Sequence, residues 1–398
     1  MLSTSQPNKH MSMSCTPTEF FKRATTTAEH YGFRTVEELR KDPACKNCQT
    51  SLPHTITDSH RQFDDQGGLC VDGILTFFEQ QLYALNRPTL LYTITQKPQT
   101  GEPAVAFHIF NVPRSIAEAI LIQASRALAQ ELGQVDPIVR INSLGDNDSL
   151  TRYSRELTNF LRKRLDSMPA PARELMKEHP IHALNHLIEK DHELAYRAPN
   201  PLEYLSDQSR KHFREIVEYL DMSETPYEID PRMLAHHEYY SDALFSLESM
   251  DGEASAVSIR GGRHDQFIQH MTRSQTTGVS AVAVLKDGRA PSRFPRVKLP
   301  TPSVYVVHLG FGPKIRSLLL IDALRQAGIT VYHDLASDSL SSQLRDAEQR
   351  GVKYTIIIGQ KEFVDQTVIL RDMSERSQEA ISMDQLVKRL KRRSVHLI

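Results

Sequence analysis

The sequence predicts a protein of two domains, an N-terminal domain of mixed helix and strand interrupted by a helical block, and a small C-terminal α/β domain. Three observations carry this reading. Two β-rich runs at 90–95 and 104–112 flank the polar turn Lys97-Pro98-Gln99-Thr100-Gly101, the pattern of a hairpin with a longer loop. The stretch from about 148 to 222 is rich in charge and leucine, with capping signals at Ser206 and Asp207. After a proline-rich stretch, short apolar runs at 305–309, 330–333 and 354–359 alternate with helices at 314–327 and 340–350, which suits a largely parallel, buried sheet.

The remaining elements follow in order. Residues 1–18 are Ser-, Thr- and Pro-rich and read as disordered, and helices are expected at 20–31 and 74–85. Residues 115–132 form a strong amphipathic helix, with Ile116, Ile120, Leu128 and Leu132 on its apolar side, and 137–141 is a short strand behind it. Strands and turns return at 227–284. The first domain thus spans 19–285, a linker occupies 286–302, and the second domain spans 303–398, with a fourth strand at 367–371 and a last helix at 383–392.

Composition narrows the function classes. At 398 residues the chain can bury two or three cores, and a formal net charge of -1 gives no bulk attraction for nucleic acid. Any RNA contact must come from a local patch, for which Lys388, Arg389, Lys391, Arg392 and Arg393 are the obvious cluster, although the same run also suits a solvated helix face. No apolar run reads as a signal peptide or membrane span, and four cysteines form no disulfide framework, so a soluble, cytoplasmic protein is expected.

Several motifs in fixed order resemble one family, the histidyl-tRNA synthetases. They are Ile141-Asn142-Ser143-Leu144-Gly145, Pro226-Tyr227-Glu228-Ile229-Asp230-Pro231-Arg232, Tyr239-Tyr240 and Gly261-Gly262-Arg263-His264-Asp265, then a C-terminal run from Ser339 to Asp372. The resemblance implies the class II synthetase fold: an α+β domain built on an antiparallel sheet with a helical insertion, plus an α/β anticodon-binding domain. It also implies a homodimer.

Adenylate formation requires cations that stabilise charge on the α-phosphate of ATP, and arginine suits this by its permanent charge and bidentate fork. Counting back from the Lys97–Gly101 turn, the family's arginine falls on Ile94 and its glutamate on Gln96. The arginine before the tyrosine pair falls on Ala235, and that of the third motif on Leu285. The histidine pocket is altered too. Its remnants are Asp72, Tyr239 and Tyr240, whereas Ile109 and Pro113 replace polar groups, and the two tyrosines are also read as aromatics filling a core.

The reading is a histidyl-tRNA synthetase-like protein that has lost catalysis and acts as a tRNA- or protein-binding or regulatory paralogue. One alternative is a divergent active histidine–tRNA ligase, with ATP and magnesium, drawing replacement cations from Lys97, Lys286 or Arg263. Another is a partner like the regulatory subunit of ATP phosphoribosyltransferase. Lys314, Arg316, Arg345, Arg371, Lys388, Arg389, Lys391 and Arg392 are candidate tRNA contacts. Cys45, Cys48, His54 and His60 form a Cys-x2-Cys-x5-His-x5-His series that is a candidate for structural zinc, set against core cysteines and loop histidines. The Gly310-Phe311-Gly312-Pro313 turn is read either as an anion-binding turn or as a plain strand-to-helix connection.

Overall fold

The computed structural model describes residues 15–42, 45, 66–234, 239–248, 256–291 and 299–392. Helix α1 (Pro17–His30) opens the first domain, and the Thr16 hydroxyl accepts the Glu19 N–H at 3.2 Å to cap it. That start lies inside the stretch expected to be disordered, because Thr16-Pro17 is an N-cap followed by a proline at the first helical position. A short α2 (Val36–Leu39) leads to α3 (Gln66–Glu79), which begins well before the expected residue 74. Gly67 and Gly68 interrupt the apolar pattern there and hide its first turn.

The expected hairpin forms from β1 (Thr89–Gln96) and β2 (Pro103–Phe110), paired antiparallel from Thr89↔Phe110 to Gln96↔Pro103. Then come α4 (Ile116–Glu131), β3 (Ile138–Gly145), α5 (Asn147–Arg162), α6 (Ala170–Glu178), α7 (Pro180–Glu189), α8 (Glu193–Tyr196) and α9 (Asp207–Met222). The helical block divides. Helices α5 to α8 close a small core of their own around Leu157, Leu161, Ile181 and Leu187, whereas Phe213, Ile216 and Leu220 of α9 join the main core.

The domain finishes with β4 (Tyr227–Ile229), β5 (Ser241–Glu248), β6 (Val257–Arg263), α10 (Asp265–Thr272) and β7 (Gly278–Leu285). Its seven strands lie in the order β1-β2-β7-β6-β5-β3-β4, antiparallel throughout except β3 with β4. The antiparallel sheet with a helical insertion is therefore present.

The C-terminal domain contains β8 (Val304–His308), α11 (Phe311–Gln326), β9 (Val331–His333), α12 (Leu340–Gln349), β10 (Tyr354–Ile358) and α13 (Gln360–Val364). It ends with β11 (Thr367–Asp372), β12 (Gln378–Ser382) and α14 (Met383–Arg392). The strand order is β12-β11-β10-β8-β9. Strand β8 runs parallel to both neighbours, but β11 and β12 are antiparallel, so the sheet is mixed rather than largely parallel. Strand β12 escapes sequence reading because a polar edge strand carries little apolar signal.

The two domains share one core. Helix α11 lays Ile315, Leu318 and Ile321 into the same apolar cluster as Ile120 and Leu128 of α4. Further contacts reinforce the seam: the Tyr31 hydroxyl donates to Asp322 at 2.9 Å, and the rings of Tyr219 and Phe311 meet at 4.8 Å. The stretch expected as linker is partly anchored, since Ala290 N–H donates to the Gly101 carbonyl. Residues 292–298 of that stretch lie outside the described residues.

Candidate active site of the sheet

Strand side chains alternate between the two faces, so the sheet has two chemically distinct sides. Helices α1 and α4 cover one side, against Tyr92, Val105, Phe107, Ile109, Ala281, Ala283 and Leu285. Helix α3 covers the other. There Leu69 and Cys70 form a buried apolar layer with Ala104, Ala106, Val282 and Val284, all no more than 2% exposed.

The approach of α3 is very close. A Cβ built on Gly73 would lie 2.0 Å from the His108 Nε2, so only glycine fits, although glycine within a helix costs about 1 kcal/mol relative to alanine. The His108 ring is fully buried, with Nδ1 hydrogen-bonded to Ser280 Oγ at 2.8 Å and Nε2 to Thr93 Oγ1 at 3.3 Å. Burial, aided by nearby His264, lowers its pKa to about 3, so the ring is neutral at physiological pH. Tyr240 packs on His264 at 4.7 Å between ring centroids, and its hydroxyl meets the Cys70 thiol at 3.8 Å. Tyr239 and Tyr240 are both buried core aromatics, and Gly262 is small because a Cβ there would strike the Tyr240 ring.

The expected positions do not converge. Ile94 and Leu285 face the α1 and α4 side, Gln96 shares the parity of Ile94, and Ile109 points the same way, whereas Tyr240 and His108 are on the α3 side. The positions counted along the hairpin therefore lie on the opposite face from His108 and Tyr240. The α3-facing positions of β1 and β2 that flank His108 are Thr93, Thr95, Ala104 and Ala106, and those of β7 are Ser280, Val282 and Val284. None of these carries charge. Sequence reading also missed Arg260 of β6, which is exposed on the α3 side of the sheet and in register with Val282. Asp72, on α3, is half-buried, and its backbone carbonyl accepts the Thr76 hydroxyl at 2.8 Å. Ala235 lies outside the described residues, as do His236 and His237.

The three replacement cations have other settings. Lys97 bridges to Glu102 at 3.2 Å within the hairpin loop, and Lys286 is exposed just past β7. Arg263 is buried on the α4 side, with Nε 2.7 Å and Nη2 2.8 Å from the two Glu118 oxygens and Nη1 3.1 Å from Asp265. His212 completes the knot at 2.8 Å from Glu118. Burial by itself would raise the Glu118 carboxyl, but Arg263 and His212 hold it down to about 2. Arg263 therefore ties α4, β6 and α10 together and is unavailable to a phosphate. Of the zinc candidates only Cys45 is described. It is buried in an apolar cluster with Val71 and Ile74, and no group able to hold a metal occurs among the described residues.

Residues 305–393 match the family described as an anticodon binding domain. A histidine–tRNA ligase of Caldanaerobacter subterraneus subsp. tengcongensis is 28% identical over 330 residues, which is 80% of this chain and 79% of the relative. One from a Geobacillus species is 28% identical over 338 residues, 80% of this chain and 79% of the relative. The chain is histidyl-tRNA synthetase-like. A crystal structure of apo histidyl-tRNA synthetase from S. aureus aligns with a TM-score of 0.47 at 18% identity, covering 97% of this chain and 100% of that one.

In this synthetase-like chain the candidate RNA contacts scatter over the C-terminal domain. Lys314 is 4% exposed and donates to Asp338 at 2.5 Å, so it does not present its charge to an RNA backbone. Helices α11 and α14 pack on one face of the sheet, through Ile315, Leu386 and Leu390, while α12 packs on the other through Ala347, which separates Arg345 from the rest. Arg316 lies over the Phe363 ring at 5.7 Å, Arg371 is half-buried, and Arg389 pairs with Glu379 at 2.9 Å. Lys388, Lys391 and Arg392 of α14 are exposed, as is Arg345.

Proposed function

We propose that this chain is a histidyl-tRNA synthetase-like protein without aminoacylation activity, which binds tRNA or a partner protein through its C-terminal domain. The observation that carries this reading is the apolar layer of α3 on β1, β2 and β7: Leu69 and Cys70 are packed onto Ala104, Ala106, Val282 and Val284. An amino acid and a nucleotide bound on that face would need cations and carboxylates at these positions, and would need the layer removed.

The exposed basic side chains of α14 support the RNA half of the reading, as does the match of residues 305–393 to an anticodon binding domain. The chain is soluble and cytoplasmic in this reading, and no helix among the described residues is long and apolar enough to cross a membrane. Two assays on the full chain test the proposal. Histidine-dependent ATP–pyrophosphate exchange is expected at background, and titration with histidine tRNA is expected to show affinity that falls steeply with salt. Robust exchange contradicts the inactive reading, with Arg260→Ala then the first variant to examine. Absence of tRNA binding moves the function to a protein partner, for which co-purification with the catalytic ATP phosphoribosyltransferase is the specific check on the regulatory-subunit alternative.

A further inference from the structure

Between the two domains lies a cleft of about 950 Å³, within the roughly 300–1,000 Å³ that small-ligand sites occupy. One wall belongs to the first domain, from Gly32 through α2 to Asp42 and along the start of β1. The other belongs to β9, the loop after it and one face of α12, where Ser342, Arg345, Asp346 and Gln349 recur at helical spacing. The floor is apolar: Ile109, Val112 and Ile120 meet Val331 and Leu335, each no more than 3% exposed. No described residue of α3 lines it.

The charges around this cleft do not balance. Each carboxylate on its walls is engaged within the chain: Asp42 by Arg87 at 2.6 Å, Asp346 by Arg350 and the Tyr305 hydroxyl at 2.9 Å each, Glu38 by the Thr35 N–H at 3.3 Å and Asp334 by the Ser337 N–H at 3.2 Å. Burial also raises the Asp334 carboxyl above its ordinary value, which favours its neutral form. Three of the five lysine and arginine side chains on the walls have no carboxylate partner among the described residues. Arg34 donates there only to the carbonyls of Glu29 and Phe33, at 3.2 and 2.9 Å. The side chains of Lys41 and Arg345 are exposed and form no hydrogen bond or ion pair among the described residues.

His333 sits where the two walls meet. Its Nε2 donates to the Tyr31 carbonyl of the first domain at 3.0 Å, and a Cβ on Gly32 would lie 3.2 Å from the same nitrogen. Burial lowers the His333 pKa to about 4, and the charges of Arg34 from one domain and Arg350 from the other lower it further. The cleft thus holds a positive field that its own residues leave uncancelled. Beside it Tyr332 is half-buried, with the Arg350 guanidinium 4.5 Å from its ring centroid, a surface of the kind on which nucleobases stack.

We propose that this interdomain cleft binds a nucleoside phosphate, its base over the apolar floor beside Tyr332 and its phosphate among Arg34, Lys41 and Arg345. Arg34 and Lys41 come from the first domain and Arg345 from the second, so the ligand bridges the two. The site shares no residue with the apolar layer under α3 and stands whether or not that face is active.

The test is isothermal titration of the full chain with the 5′-diphosphates of adenosine, guanosine, cytidine and uridine. It is run on the wild type, on Lys41→Ala with Arg345→Ala, and on Arg260→Ala, which lies on the sheet away from the cleft. All three positions are exposed, and far-ultraviolet circular dichroism checks that each variant is folded. At least one nucleotide is expected to bind saturably, and the paired change to weaken it by at least about tenfold, as should removal of the phosphates in the free nucleoside. Arg260→Ala is expected to leave that affinity in place. The proposal is overturned if none of the four nucleotides binds, if the paired change leaves the affinity unmoved, or if Arg260→Ala abolishes binding instead. Affinity for histidine tRNA that falls in the paired variant while no nucleotide binds also overturns it, and assigns the cleft to RNA.

Discussion

The two domains of this molecule place their charged groups differently. In the first domain the Glu118, Arg263, Asp265 and His212 knot turns its charges inward and pairs them with one another, and helix α3 covers β2 and β7 on the other face of the sheet. In the C-terminal domain the cations Lys388, Lys391 and Arg392 of α14 remain exposed. A sheet whose polar groups satisfy each other is a scaffold. Charges left in solvent retain the means to bind.

The largest effect expected from breaking this contrast is at the knot. Glu118→Ala strands the buried Arg263 charge and is expected to cost about 3–5 kcal/mol, read from urea unfolding, whereas a protein using Arg263 for catalysis would tolerate the change better. Next comes the sealed face. Gly73→Ala drives a methyl into His108 and is expected to cost about 1–3 kcal/mol by the same measurement.

Acid should act on the buried imidazoles. The pKa values of His108 and His308 are lowered to about 3, and those of His264 and His333 to about 4, in each case chiefly by burial. Below the unfolded value near 6.5 the unfolded chain binds protons that the folded one refuses, so stability falls as pH falls. Each such histidine removes about 1.4 kcal/mol per pH unit once well below that value, and the urea midpoint should drop between pH 6.5 and 5. A midpoint flat over that range would contradict the buried, neutral assignment.

The smallest stability effect belongs to α14. Changing Lys388, Lys391 and Arg392 together to alanine should leave unfolding within about 0.5 kcal/mol. The same change should weaken tRNA binding and flatten its salt dependence, since exposed cations act through phosphates.

How far the sequence carried this account depends on the periodicity involved. The hairpin, α4, α9 and the α/β pattern were legible because apolar spacing and capping residues report directly on local structure. The face of a strand residue was not, because neighbours alternate between the two sides, so that Thr93 lies beside His108 while Ile94 faces α1 and α4. Arg263 was visible as part of a Gly-Gly-Arg motif, but its partner Glu118 is 145 positions away, a distance no local pattern spans. Gly73 carries its reason only in the structure, where the His108 ring occupies the space of a side chain.

The central claim is that α3 closes the sheet face to ATP and histidine, and amide hydrogen exchange on α3 tests it most directly. With saturating ATP and histidine, the amides of residues 70–78 should keep the slow exchange they show in the free protein. A ligand-dependent change in their exchange would show that the face opens to substrates, and would contradict the account.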